Sequence, residues 1–200
     1  ILMKKNLKSN FTKCFLCSAC QNHEKNCKYL IDRKVLIDYK KLVSKGLILT
    51  CCNKEIFSML YDSVNSEIKD TFKIQLLDDS IKNQNIELIE FLSARGSPCN
   101  NSLIEAVLTN NVDIVKIILK YNRKPSYINK LYKSGTSLNT PVVLGNFEIV
   151  KLLLSIPGID PSLYANNNIT PLVSAITSFN IDIINLILDF YGDDIESQKW

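Results

Sequence analysis

Four segments of this chain share one pattern: an asparagine, an acidic residue two positions later, and then a run of aliphatic residues. Between successive acidic residues the spacing is 26, 35 and 34 residues. Because self-similarity at a nearly fixed period is typical of repeat architectures, the pattern predicts that one structural unit recurs along the chain. The segments are Asn85–Leu92, Asn111–Leu119, Asn146–Leu154 and Asn180–Leu188, with the acids Glu87, Asp113, Glu148 and Asp182.

A helix start is indicated upstream of most of these segments. Twelve positions before the acids lie Gln75, Asn101, Thr136 and Thr170. The last three are good helix N-caps, and Thr170 is followed by Pro171, which is a preferred first residue of a helix. Each repeat is therefore predicted to contain two helices.

The repeat resembles that of ankyrin-repeat proteins, which have a period of about 33 residues, a cap-Pro-Leu opening and an acid-led second helix. The best copy of the family's Thr-Pro-Leu-His-x-Ala opening is Thr170–Ile176, followed by Asn101–Val107 and Thr136–Val142. The resemblance covers about residues 75–192. It implies an all-α ankyrin-repeat solenoid of stacked antiparallel helix pairs with short finger loops.

Several residues depart from the family pattern. Between Gly96 and Asn101 only four residues intervene, which predicts a tight turn without a finger. Pro141 is predicted to kink or shorten its helix, because proline removes a backbone hydrogen bond. The family histidine is replaced by Asp78, Ile104, Asn139 and Val173. Second helices are expected to stop, with a positive φ, at or one beyond the position of Gly96, Asn122, Gly158 and Gly192.

The chain is predicted to have three regions. Residues 1–35 form a basic, cysteine-rich N-terminal segment, and 36–74 a degenerate or N-capping repeat in which Glu55 lies 32 residues before Glu87. Ankyrin repeats follow over 75–200, at about 75–100, 101–135, 136–169 and 170–200. Since the last helix has apolar residues beyond one stripe, we expect the native chain to continue after Trp200.

The N-terminal region is basic and rich in cysteine. Residues 1–45 contain eleven Lys or Arg against three acids, which fits nucleic-acid contact or a solvated helix, and we favour the latter. Zinc prefers Cys and His ligands in this kind of spacing. The zinc ligands would be Cys14, Cys17, His23 and Cys27, or Cys17, Cys20, His23 and Cys27; the alternative is a helix that uses these cysteines as small buried hydrophobes.

Catalysis finds little support in the sequence. His23 is the one histidine, the six glycines form no phosphate-binding motif, and no apolar run approaches the length of a membrane helix. Seven cysteines and no secretory signal indicate a reduced, cytoplasmic protein. We expect a non-catalytic module that binds a protein partner, without a cofactor, a small-molecule substrate or membrane insertion. The competing hypothesis is a zinc-dependent nucleic-acid-binding protein.

The resemblance implies that the partner contacts the concave face made by the fingers and first helices. For Leu108, Val143 and Leu144, packing between repeats is an equal alternative. The implied contact residues are Leu108, Thr109, Tyr132, Lys133, Val143, Leu144, Asn166, Asn167, Ile169, Thr177 and Ser178.

Overall fold

The computed structural model describes residues 2–35, 37–38, 53–63, 66–96, 101–133, 135–165 and 169–192. The chain divides into two compact units, Ile1–Leu88 and Ile89–Trp200. The described residues are mostly helical, and the sheet among them is one two-stranded hairpin. The predicted all-α class is therefore confirmed.

The helices follow one another in pairs. In the first unit they are α1 (Leu2–Cys20), α2 (Glu24–Asp32), α3 (Lys54–Ser63) and α4 (Ser66–Lys82), and α5 (Ile86–Ala94) crosses the division between the units. The second unit contains α6 (Ser102–Leu108), α7 (Val112–Tyr121), α8 (Pro125–Ile128), α9 (Asn139–Val143), α10 (Phe147–Leu154), α11 (Pro171–Thr177) and α12 (Ile181–Tyr191). Between α8 and α9, β1 (Leu131–Tyr132) pairs antiparallel with β2 (Gly135–Thr136).

One type of turn joins the two helices of each pair. After α11, Phe179 adopts a left-handed backbone and donates its N–H to Ile176 O at 3.1 Å, while Asn180 donates to Ala175 O at 3.2 Å. These bonds form a Schellman motif, which satisfies carbonyl groups that a helix end leaves without partners. The left-handed position is filled in five turns by Asn22, Gln84, Asn110, Gly145 and Phe179.

An asparagine follows the left-handed residue in four of these turns and begins the second helix. Its side-chain oxygen accepts a backbone N–H from the first helical turn, as an N-cap residue does. Asn53 caps α3 in the same way, with its Oδ1 2.8 Å from Ile56 N. For Asn85, Asn111, Asn146 and Asn180 the distances are 3.2, 3.0, 2.9 and 3.2 Å, to the N–H groups of Leu88, Asp113, Ile149 and Ile183.

The capped helices bury the same positions, three, four, seven and eight residues after the asparagine. This spacing places the four side chains on one face of a helix. In α12 two of the four positions are half-buried rather than buried. The buried sets are Ile56, Phe57, Leu60 and Tyr61 in α3; Leu88, Ile89, Leu92 and Ser93 in α5; Ile114, Val115, Ile118 and Leu119 in α7; and Ile149, Val150, Leu153 and Leu154 in α10.

Neighbouring pairs stack helix on equivalent helix within the second unit. The first helices α6, α9 and α11 pack in order, as do the second helices α7, α10 and α12. A side-chain bond also joins adjacent turns, because Asn146 Nδ2 donates to Asn110 Oδ1 at 2.7 Å. In the first unit Asn53 Nδ2 donates to Asn22 Oδ1 at 2.6 Å. Asn53 and Asn146 therefore each bond both their own helix and the preceding turn.

The predicted helix starts are largely found. Thr170 caps α11, accepting from Val173 N at 3.3 Å, with Pro171 as the first helical residue. Asn101 stands at the N-cap position of α6 but makes no side-chain cap bond. Thr136 Oγ1 accepts from Asn139 N at 3.0 Å, although the helix itself begins at Asn139. At the upstream position, α4 already includes Gln75.

The helix that contains Pro141 is short and unusually polar. As predicted, α9 has five residues, whereas α6 and α11 have seven. Buried polar residues occupy its surroundings: Ser137 Oγ donates to Ile128 O, and Asn139 Oδ1 has no hydrogen-bond partner among the described residues. This interface is therefore less apolar than those of its neighbours.

Two further predictions have mixed outcomes. Gly192 ends α12 with a positive φ of 59°, as predicted. Gly158 also has a positive φ (84°), but α10 already ends at Leu154. Gly96 does not have a positive φ, and Asn122 ends its helix in extended backbone at φ −151°. The turn predicted over 97–100 and the first helix of the predicted 36–74 repeat lie outside the described residues.

The cap of α11 yields a first prediction. Thr170→Ala is expected to lower the free energy of unfolding by about 1 kcal/mol, because Val173 N–H loses its acceptor. Chemical denaturation of both proteins measures the difference. Thr177→Ala, at the other end of the same helix, is the control and should change stability by less than about 0.5 kcal/mol. Equal losses in both variants would contradict the capping role.

A second prediction separates the two bonds of Asn146. Asn146→Ser keeps a capping oxygen but removes the amide donor, so only the bond to Asn110 is lost, at a cost of about 0.5–1 kcal/mol. Asn110→Gly keeps the left-handed backbone and removes the side-chain acceptor, leaving only the longer contact of 3.4 Å to the backbone oxygen of residue 110. In a double-mutant cycle the serine substitution should cost less on the Asn110→Gly background than on the wild type. Strict additivity would show that the bond between the turns contributes nothing.

Candidate partner-binding surface

The predicted contact residues fall into two groups at opposite ends of the first helices. One group lies at the C-terminal ends of these helices, next to the turns. The other belongs to the finger segments, next to the N-terminal ends. Asn166 and Asn167 lie outside the described residues. The turn group comprises Leu108, Thr109, Val143, Leu144, Thr177 and Ser178, and the finger group comprises Tyr132, Lys133 and Ile169.

The apolar members of the turn group are exposed. Leu108 is the last residue of α6 and is 49% exposed; Val143 and Leu144 end α9 and are 62% and 48% exposed. These side chains are therefore not consumed by packing between repeats, which was the alternative explanation for their apolar character. Both helices have the first helix of the following pair packed beside them, so the exposure does not come from an incomplete stack.

The polar members of the turn group bond to their own helices. Thr109 Oγ1 donates to Ala106 O at 2.6 Å, Thr177 Oγ1 to Val173 O at 3.0 Å and Ser178 Oγ to Ala175 O at 3.1 Å. Because a hydroxyl has one hydrogen to donate, these groups retain acceptor capacity only. They extend the surface without adding charge to it.

The finger residues have contacts within their own loops. Tyr132 lies in β1 and is half-buried, with Lys130 Nζ 5.3 Å from its ring centre, and Lys133 is exposed in the following turn. Ile169 is 37% exposed, and its carbonyl accepts from Ala165 N at 2.9 Å.

A side-chain bridge fixes the two fingers relative to each other. Asn129 Nδ2 donates to Gly158 O at 2.7 Å, and Asn129 Oδ1 accepts from Asp160 N at 3.0 Å. Since both bonds are to backbone, they hold the loop backbone at Gly158 and Asp160 next to Asn129.

Phe179 was not among the predicted contact residues, although it is the most exposed large apolar side chain of the described residues, at 88%. It occupies the left-handed turn position, with φ 54°. This conformation costs a residue with a Cβ atom roughly 1–2 kcal/mol. The sequence feature that could have identified this turn position is the alignment of Phe179 with Gly145 of the preceding repeat. We call Leu108, Val143, Leu144 and Phe179 the turn ridge.

In the three pairs of the second unit, charge is divided unequally between the first and second helices. Among residues 101–111, 136–146 and 170–180, which contain the first helices and their turns, Glu105 is the one charged residue. The second helices carry Asp113, Lys116, Lys120, Glu148, Lys151, Asp182 and Asp189.

Charges on the second helices pair with one another. Lys120 Nζ lies 3.1 Å from Glu90 Oε1, and this hydrogen bond raises the pKa of the lysine above its ordinary value. Lys116 Nζ lies 3.7 Å from Asp113 Oδ1. A shallow groove of about 280 Å³ is also on this side, lined by Phe147, Asp182, Asn185, Leu186 and Asp189. The second-helix side is thus polar, whereas the turn ridge is apolar.

The cysteine cluster does not assemble into a metal site. Cys14, Cys17 and Cys20 are exposed on α1, His23 precedes α2 and Cys27 is buried. No three Cys, His, Asp or Glu side chains of the described residues are placed to share a metal ion.

Burial, and then the charge of Glu24, raise the pKa of the Cys27 thiol. The geometry does not support the zinc alternative in either register. The role of a buried small hydrophobe fits Cys27, whereas it is wrong for the three exposed cysteines.

None of the described helices combines the length and the apolar character needed to cross a lipid bilayer.

Comparison with known proteins agrees with the helix pairs. A family model described as ankyrin repeats in three copies matches residues 77–165 and 103–199. No curated protein matches the chain. The matched region, 77–199, is more than half of the 200 residues and contains the stacked pairs from α6 to α12. The chain therefore belongs to the ankyrin-repeat family.

Proposed function

We propose that this protein is a non-catalytic interaction module that binds a protein partner on the face made by its fingers and first helices. Ankyrin repeats in general support protein interaction, and the family is typically non-catalytic. The observation that carries the proposal is the exposure of apolar side chains on the first helices, at Leu108, Val143 and Leu144. Apolar surface that repeats in register and is not used for stacking is available to a partner.

The finger residues complete the proposed contact surface. Tyr132 and Ile169 offer an aromatic and an aliphatic side chain, Lys133 a cation, and the bridge at Asn129 holds the loops in place. Preorganised loops lose little conformational entropy on binding, so more of the contact energy becomes affinity. We also assign Asn166, Asn167, Thr177 and Ser178 to this proposed contact surface. We further propose that the protein is cytoplasmic.

We further propose that the repeat array begins upstream of the family match, with a degenerate or capping repeat over about residues 36–74. Asn53 supports this, because it caps α3 as the other four asparagines cap their helices. The buried positions of α3, Ile56, Phe57, Leu60 and Tyr61, have the spacing found in α7 and α10. The N-terminal pair α1–α2 shares the left-handed turn, at Asn22. Residues 1–35 remain the basic N-terminal segment.

Two variants test the finger surface. Tyr132→Ala and Ile169→Ala are each expected to weaken binding to a partner captured with the wild-type protein, by about 2 kcal/mol if the residue is a central anchor. Calorimetric titration measures the affinity, and the melting temperature is expected to change little because both side chains are at least partly exposed.

Matched controls lie on the second helices. Lys116→Ala and Lys151→Ala should leave both affinity and melting temperature unchanged, since both residues are exposed on the charged side. If the lysine variants lose binding and the finger variants do not, the partner occupies the second-helix side, where the groove beside Phe147 lies.

A further inference from the structure

We propose that a crevice between the second helices α7 and α10 is a binding site for a small oxyanion, that is, a phosphate or a carboxylate group. The site is separate from the finger surface and goes beyond the proposed function. The crevice has a volume of about 100 Å³, which is room for at least roughly three water molecules. Its lining residues are Lys116, Leu119, Arg123, Leu152, Ser155 and Ile156.

The register of the stacked second helices shows that an acidic group is missing at this crevice. Between α5 and α7, the fifth residue after one cap asparagine meets the ninth residue after the next one. These residues are Glu90 and Lys120, whose charged groups lie 3.1 Å apart. Between α7 and α10 the same two positions hold Lys116 and Ser155, and both residues line the crevice. A hydroxyl group therefore stands where an acid could have paired with the cation.

Positive charge is in excess around the crevice. Among the described residues that line it, two are cations and none is acidic. Arg123 forms no ion pair with any described residue, and the pair of Lys116 with Asp113, at 3.7 Å, is more than half exposed and thus screened by water.

The neighbouring acids do not remove this excess. The acids of α12 line a different groove, beyond α10, and Glu90 of α5 is bonded to Lys120. The charged residues of α7, of α10 and of the segment directly after α7 are Lys116, Lys120, Arg123, Lys124 and Lys151, against Asp113 and Glu148.

Hydrogen bonding and burial prepare the crevice for an anion. Arg123 Nε donates to Leu119 O at 3.0 Å, which orients the guanidinium group and leaves four of its five N–H donors. Such a group can bind two oxygens of one anion at once. Leu119 and Ile156 are buried, and an apolar lining strengthens the attraction between opposite charges by lowering the local dielectric constant. Ser155 Oγ, which donates to Leu152 O at 2.7 Å, adds a hydroxyl group to the lining.

Helix dipoles limit the affinity of the site. Leu119 and Ser155 lie at the C-terminal ends of α7 and α10, where carbonyl groups carry partial negative charge. Arg123 compensates for one of these carbonyl groups only. We therefore expect a dissociation constant on the order of 1–10 mM for a free anion, and tighter binding when the anionic group belongs to a molecule that makes further contacts.

NMR spectroscopy of the full chain gives a direct test, because the sequence has three arginines, Arg33, Arg95 and Arg123. Titration with inorganic phosphate is expected to shift the Nε–H signal of Arg123 until it saturates. The other two guanidinium groups lie over the rings of Tyr29 and Phe91, and their signals should change little. Sodium chloride at equal ionic strength is the control for screening. A second titration with acetate shows whether a phosphate or a carboxylate group binds more tightly.

A substitution that supplies the missing acid tests the geometry. Ser155→Glu places a carboxylate opposite Lys116, in the relation that Glu90 has to Lys120, and is expected to weaken phosphate binding at least about fivefold, because the added charge repels the anion. Asn185→Glu is the matched control, since it adds the same charge to an exposed position of α12, away from the crevice. It should leave phosphate binding unchanged. The backbone amide spectrum shows whether each variant remains folded.

Several results would overturn the proposal. They are an equal response of all three arginine signals, an equal shift with sodium chloride, and no saturation of the Arg123 signal with either phosphate or acetate. Unchanged affinity in Ser155→Glu, or an equal loss in Asn185→Glu, would also exclude the crevice as the site. The finger variants act on a different surface and a different ligand, for which Lys116→Ala remains a control, so either proposal can fail while the other stands.

Discussion

The array depends on how the chain reverses direction between two antiparallel helices without leaving backbone groups unsatisfied. Each reversal ends one helix and begins the next within three residues, so carbonyl and amide groups meet there that have no partner inside a helix. A left-handed residue followed by a cap asparagine solves both problems, with the backbone closing the first helix and the side chain opening the second. The amide of the same asparagine is then free to bond the preceding turn, as Asn146 does to Asn110.

This arrangement leaves the two sides of the stack with different tasks. In the second unit, α7 and α10 bury four aliphatic positions against their neighbours, and α7 carries paired charges outside, at Lys116 and Asp113. The first helices α6, α9 and α11 are short and almost uncharged, and α6 and α9 expose apolar residues at their C-terminal ends. In these three pairs the charges are thus on the second helices and the exposed apolar residues on the first. The first helices α1 and α4 differ, since both are long and contain charged residues.

Much of this was predictable from the sequence, because the signals were local and repeated. Asn146–Leu154 and its equivalents combine a cap, an acid and a helical spacing, and Thr170-Pro171 marks a helix start that the structure confirms. Pro141 shortens α9 because proline has no backbone N–H to donate, which the sequence alone shows. Tertiary features could not be predicted from the sequence. The cysteine spacing does not reveal that Cys27 is buried while Cys14 is exposed. A phenylalanine does not indicate a left-handed backbone either, and the equivalence of Phe179 and Gly145 has a meaning only once the turns are superposed.

The five-residue helix α9 makes the array uneven. In a solenoid, stability is the sum of what each repeat contributes and what each interface adds, so one poor unit lowers two interfaces at once. The repeat around α9 has the fewest helical hydrogen bonds in its first helix and buries polar atoms, including an Asn139 oxygen without a partner among the described residues. It also supplies Val143 and Leu144. Local unfolding centred on α9 would divide the stack into two shorter pieces. A partner that contacts both pieces would oppose this unfolding. Partner binding and the continuity of the stack would then be coupled.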